Sequence, residues 1–84
     1  MELYSAIAGL KTPEECKAFF EDICSPAELA ALEHRWLTAK LLCQGKTYQE
    51  IIDEVKVSSV IVSRVNRVLQ YGNGSLRSLV EGGE

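Results

Sequence analysis

Apolar residues recur along this chain at helical intervals. Cys16, Phe19, Phe20 and Ile23 stand at i, i+3, i+4 and i+7, and Tyr48, Ile51, Ile52 and Val55 repeat those offsets. Each set forms one stripe along a helix. Leu3, Ile7 and Leu10 predict a short first helix in the same way. The polar punctuation agrees. "TPEE", "SPAE" and "TYQE" each put a hydroxyl at Thr12, Ser25 or Thr47 and a carboxylate three residues later, at Glu15, Glu28 or Glu50. That spacing is a capping box, which satisfies backbone N–H groups that have no intrahelical partner, and Pro13 and Pro26 occupy first helical positions. Gly45 and Gly72 follow helical runs as stops, and "YGNGS" at 71–75 is read as a turn, with Ser75 capping a last helix over 76–81.

The helix predicted over 26–43 is apolar on several sides. Leu29, Leu32, Trp36, Ala39 and Cys43 share one face, Leu37 and Leu41 lie away from it, and Leu42 lies on a third side. Such a helix needs neighbours all round. A short chain offers few, so a second copy is expected to supply them, giving an obligate homodimer.

The segment "VSSVIVSRVNRV" at 57–68 is rich in valine and could be taken for a strand. It breaks strand alternation, because Val60, Ile61 and Val62 are consecutive, whereas Ile61, Val62, Val65, Val68 and Leu69 fit helical spacing. Valine costs roughly a few tenths of a kcal/mol in a helix relative to alanine, but burying its side chain returns about 1.5 kcal/mol or more. A helix capped by Ser58 or Ser59 is therefore predicted. With the short helix 48–55 before it, it forms a helix-turn-helix over about 47–69. Ile52 and Val55, and Val62 and Val65, are expected to face inward, leaving Ser58, Ser59, Val60, Ser63, Arg64 and Arg67 outside. Arginine can reach guanine O6 and N7, hydroxyls can bond phosphate or base edges, and a valine methyl can touch a thymine methyl. Lys56 holds the turn position often given to glycine, at a strain of about 1 kcal/mol.

Composition bounds the rest. Eighty-four residues, of which 46% are hydrophobic and 25% charged, predict one folded domain over 1–84. No apolar run approaches the roughly 18 residues that cross a bilayer, and "MELYSAIAGL" lacks the basic start of a signal peptide. The three cysteines, Cys16, Cys24 and Cys43, have no CxxC spacing and are read as reduced thiols in a cytoplasmic protein. His34 is the sole histidine, so no zinc site is expected. The net charge of −3 is uneven: residues 1–34 carry two lysines against seven carboxylates, and residues 35–84 carry seven cations against five carboxylates. A basic face can therefore still meet phosphate, with Lys46 and Lys56 as candidates beside Arg64 and Arg67. There is no nucleophile–base pair and no glycine-rich phosphate loop. Tyr71, Cys43 and His34 are read as core or surface residues, and no enzyme activity is expected.

"LKTPEECKAFFEDICSPAELAALEHRWLTAKLLCQGKTYQEI" and "VSRVNRVLQYGNG" resemble the Trp-repressor-like YerC/YecD family, over roughly residues 3 to 80. The resemblance implies an all-α fold with a helix-turn-helix, an intertwined homodimer, and a DNA-binding transcription regulator. It also raises the question of a ligand. Members that bind tryptophan sandwich the indole between two arginines, which Arg35 and Arg64 match by motif, and Ser25 matches a threonine near the ligand's amino group. Val65 stands where those members have glycine and would fill the ligand's space, and the turn is one residue shorter. No tryptophan binding is expected, which leaves room for a different small co-regulator. "SSVIVSR" is also more apolar than the threonine-rich version usual in nearer relatives, and Trp36 and Leu37 are unusual in the long helix. The expectation is thus a dimeric repressor on a near-palindromic double-stranded DNA site. Its rival is a dimeric protein-interaction module without DNA binding, favoured by the acidic first half and the excess apolar helix surface.

Overall fold

A computed structural model describes residues 1–82. It is all-helical: α1 (Glu2–Ala8), α2 (Pro13–Ile23), α3 (Pro26–Cys43), α4 (Tyr48–Val55), α5 (Ser59–Tyr71) and α6 (Ser75–Gly82). There is no strand among the described residues, and no helix is long and apolar enough to cross a membrane. The chain divides into two compact units, the first Met1–Ala31 and the second from Leu32 onward, with α3 running from one into the other.

In the first unit the predicted caps form, with one variation. Thr12 Oγ1 accepts from the Glu15 N–H at 3.0 Å. The Glu15 carboxylate, however, accepts from the Lys11 N–H at 2.8 Å instead of from Thr12, so the box reaches back one residue further. At α3 both halves of the box are present, with Glu28 N donating to Ser25 Oγ and Ser25 N donating to Glu28 Oε1. Leu10, expected in the first helical stripe, falls beyond α1, its N–H held by Ile7 O at 3.0 Å. The stripe on α2 forms, and the rings of Phe19 and Phe20 meet edge to face with centroids 5.2 Å apart. Yet no residue of this unit is buried, and Ile23 is 55% exposed.

The second unit holds the core, in two clusters. Ala39 of α3 meets Val65 and Leu69 of α5, with Leu42, Cys43, Ile61, Leu76 and Val80 packed around them. Ile51 and Val55 of α4 meet Val62 of α5, with Leu41, Leu42, Ile52 and Val57 alongside. Leu42 touches both clusters and links them. The small side chain of Ala39 leaves room for Val65 and Leu69 of α5 to approach α3. Thr38 is the one buried polar residue among those described, and its hydroxyl donates to His34 O at 2.7 Å, so its burial leaves nothing unsatisfied. The inward set on α4 differs from the expected pair of Ile52 and Val55. Ile51 is fully buried and Ile52 only half-buried, because the pair one helical turn apart, Ile51 and Val55, is the one that faces α5.

The turns between these helices each have a local cause. Past α3, Lys46 N donates to Leu41 O and Gly45 N to Leu42 O, the paired bonds of a Schellman stop, with Gly45 at φ +85°. At α4, Glu50 N donates to Thr47 Oγ1 at 3.1 Å and Thr47 N donates to Glu50 Oε1 at 2.8 Å. Lys56 closes α4 in the left-handed region (φ 66°, ψ 44°), its N–H on Ile52 O at 2.9 Å. Ser58 then caps α5 by accepting from Ile61 N at 3.2 Å. Gly72 ends α5 with extended backbone, and its missing side chain is explained by room, since a Cβ there would lie 2.5 Å from Val68 O. Ser75 was expected to cap the last helix. It is instead the first residue of α6, and Asn73 Oδ1 accepts both its N–H and its hydroxyl, at 3.0 and 2.6 Å. Arg77 of α6 donates from Nε to Leu69 O, an end carbonyl of α5, and pairs with Glu81.

Two outcomes follow from the two ends of α4. Lys56→Gly relieves left-handed strain of about 1–2 kcal/mol and adds an unfolded-state entropy cost of about 0.5–1 kcal/mol, so urea denaturation is expected to show a gain of up to about 1.5 kcal/mol. The second concerns Glu50, whose carboxyl is held below its ordinary 4.5 first by the Thr47 N–H, then by the Thr47 hydroxyl and the nearby charge of Lys46, against weak desolvation. A lowered folded value means that stability is present above about pH 4.5 and is lost as pH falls through the folded value. Glu50→Gln is expected to flatten that acid-side loss in thermal melts between about pH 5 and pH 3.

Candidate nucleic-acid interface

The inner face of α5 is fixed by its packing, and the outer face follows from it. With Val62, Val65 and Leu69 buried, the opposite side of the helix faces solvent. Ser59, Val60, Ser63, Arg64 and Arg67 are all exposed. Together with Tyr48 from α4 they line one open depression of about 470 Å³. Of the six residues predicted to face outward, Ser59, Val60, Ser63, Arg64 and Arg67 are therefore brought together by the α4–α5 packing, and Ser58 lies outside the depression.

The chemistry of this surface is unspent. Among the described residues, ion pairs join Lys17 to Glu21 and Arg77 to Glu81, and neither Arg64 nor Arg67 has a carboxylate partner. Their guanidinium donors face water, in the planar fork that suits a phosphate or the edge of guanine. The first turn of α5 holds no acidic residue, so no carboxylate offsets the positive end of the helix.

Other candidates are placed differently. Ser58 is exposed, but its oxygen is engaged as the N-cap of α5, which makes it a positioning residue first. Lys46 and Lys56 are exposed at either end of α4, outside the depression. Ser25 belongs to the first unit, where its Oγ caps α3. Arg35 is exposed on α3 and lines neither this depression nor a second one of about 430 Å³. The second lies between α3 and α4, with Leu37, Leu41 and Val55 among its apolar walls and His34, Lys40, Gln44 and Glu54 as its polar groups. Val65 fills the contact of α5 with Ala39. No group of three or more His, Cys, Asp or Glu among the described residues could hold a metal ion.

Tyr48 is the site residue that the helical pattern assigned to the wrong face. Counted with Ile51, Ile52 and Val55 it reads as core, yet it is 39% exposed and borders the depression. The signal was its position. It is the first residue after the Thr47 cap, where the helix has only begun to be covered, and a phenol is the aromatic side chain that tolerates such an edge.

Comparison with known proteins places this geometry. The chain is 42% identical over 72 residues to the uncharacterized protein YerC of Bacillus subtilis, a match that covers 86% of this chain and 69% of that one. It superposes on the crystal structure of a TrpR-like protein from Eubacterium eligens with a TM-score of 0.91 and 38% identity, covering 96% of this chain and 84% of that one. A candidate Trp repressor from Staphylococcus aureus gives the same TM-score of 0.91 at 40% identity, covering 96% and 81%. The family model for the Trp repressor protein matches residues 1–83. The six-helix fold, the helix-turn-helix of its second unit and these matches agree: the chain belongs to the Trp repressor family.

Proposed function

We propose that this protein is a cytoplasmic, sequence-specific DNA-binding transcriptional repressor that acts as a homodimer on a near-palindromic site. The observation that carries the reading is the sorting of α5: Val62, Val65 and Leu69 are sealed against α3 and α4, and its free arginines with Ser59 and Ser63 share one open surface. Membership of the Trp repressor family and the names of the matched structures support it.

In this reading the chain works as one DNA-binding domain, with α4 and α5 as its helix-turn-helix. The N-terminal end of α5 enters the major groove. Arg64 contacts a base edge or phosphate, Arg67 the flanking phosphate, and Ser59 and Ser63 supply hydroxyls. Lys46, Lys56 and the Tyr48 hydroxyl contact phosphate from α4 and its two ends. Two such helices, one per protomer, would reach successive major grooves about 34 Å apart. The dimer is supported by surface that one copy leaves uncovered. The first unit buries nothing, and on α3 Leu32, Trp36 and Leu37 are each more than a third exposed. No tryptophan site is part of the proposal, since Val65 occupies the space beside Ala39.

An anisotropy titration of labelled duplex DNA at several salt concentrations tests this. Binding is expected to weaken steeply with salt, at two chains per duplex, because each neutralised phosphate releases counterions. Arg64→Ala or Arg67→Ala should reduce the slope of log K against log[salt] by about 1 where the residue meets phosphate, or cost about 1–3 kcal/mol where it reads a base. Absence of salt-sensitive binding at low ionic strength, with recovery of a stable protein partner instead, would establish the protein-interaction reading.

A further inference from the structure

We propose that Val60 reads the 5-methyl group of a thymine, so that each half-site contains a thymine within one or two base steps of the base pair that Arg64 faces. This rests on the DNA-binding reading above and adds a specificity element to it.

The starting point is an aliphatic side chain in the wrong environment. Val60 is 69% exposed, above Leu79 at 63% and every other valine, leucine or isoleucine among the described residues. It belongs to neither core cluster. Its neighbours in the depression are Tyr48, Ser59, Ser63, Arg64 and Arg67, so an aliphatic side chain stands beside two cationic ones and two hydroxyls. Two unpaired arginines argue against a second copy of the same face as its cover, because like charges would be brought together. They favour a polyanion that carries an apolar group of its own. In the major groove of DNA that group is the thymine C5 methyl.

Geometry agrees. Val60 is the second residue of α5, in the turn that a reading helix pushes deepest into the groove. Its branched Cβ leaves one strongly preferred rotamer in a helix, so the two methyls are held at a fixed place. Arg64 follows one helical turn later on the same side, with Cβ atoms roughly 5–6 Å apart. Base pairs rise about 3.4 Å, which puts the groups read by Val60 and Arg64 one or two steps apart. Ser59 and Ser63 flank the pair and keep the surface hydrated when it is free.

Uracil tests this, because it keeps the pairing and the O4 acceptor of thymine and lacks only the methyl. A duplex selected by the wild-type protein from random sequence is resynthesised with each thymine replaced in turn by deoxyuridine, and affinities are measured by anisotropy. Burial of one methyl is worth about four-fold in affinity. The expected result is a loss of about that size at one symmetric pair of positions, and roughly its square when both half-sites are changed. Val60→Ala is expected to erase that uracil penalty, whereas Arg64→Ala lowers affinity and retains it. Val60 supports no core contact, so helix content by circular dichroism should be unchanged in the variant. Duplex binding with no uracil penalty at any position, or a penalty that survives in Val60→Ala, overturns the methyl-reading role and leaves the DNA-binding reading standing. Failure of the wild-type chain to select any duplex overturns both.

Discussion

The contact of Val62 with Ile51 and Val55 is the constraint on which the rest depends. Valine is a poor helix former, and α5 carries four of them between residues 60 and 68. It coils because one side of it is taken out of water, by Ile51 and Val55 from α4 and by Ala39 from α3. That packing does two things at once. It decides helix over strand, since burial outweighs propensity. It also fixes the rotation of α5 about its axis, and this rotation alone sends Ser59, Ser63, Arg64 and Arg67 to one exposed surface.

The turn between α4 and α5 is stiff for reasons that are local and additive. Thr47 and Glu50 cap one end of α4, Lys56 closes the other in the left-handed region, and Ser58 opens α5 within two residues. A short link with both ends capped leaves little freedom for α5 to swing. The non-glycine at Lys56 keeps a cation at this point at the cost of backbone strain. By contrast the first unit is held by caps and one aromatic pair, and none of its residues is buried.

Most of this was legible in the sequence, and the exceptions share a cause. Cap residues act within three or four positions, so Thr12, Ser25 and Thr47 could be read directly and the cap of α5 narrowed to Ser58 or Ser59. Spacing also gave most of the inner face of α5, because Val62, Val65 and Leu69 span two turns, although Val68 of the same set is 45% exposed. It failed on α4, where eight residues are too few for a pattern to tell Ile51 from Ile52, and it put Tyr48 inside. The misplaced caps, Glu15 bonding Lys11 and Asn73 serving Ser75, differ from expectation by one or two residues, the range over which a flexible side chain can choose between neighbouring N–H groups. How Arg35 and Ser25 relate to a ligand was a matter of resemblance alone, and neither joins Arg64 in the depression that α4 and α5 form.

A double-mutant cycle on Ile51→Ala and Val62→Ala, followed by urea denaturation at fixed protein concentration, tests the α4–α5 packing most directly. Ile51→Ala is expected to cost about 2–5 kcal/mol, and the two changes together should cost less than their sum by about 1 kcal/mol or more, as for side chains that share one contact. Costs that add to within about 0.5 kcal/mol would mean that Val62 does not rest on Ile51, and that something other than this contact turns the arginines of α5 outward.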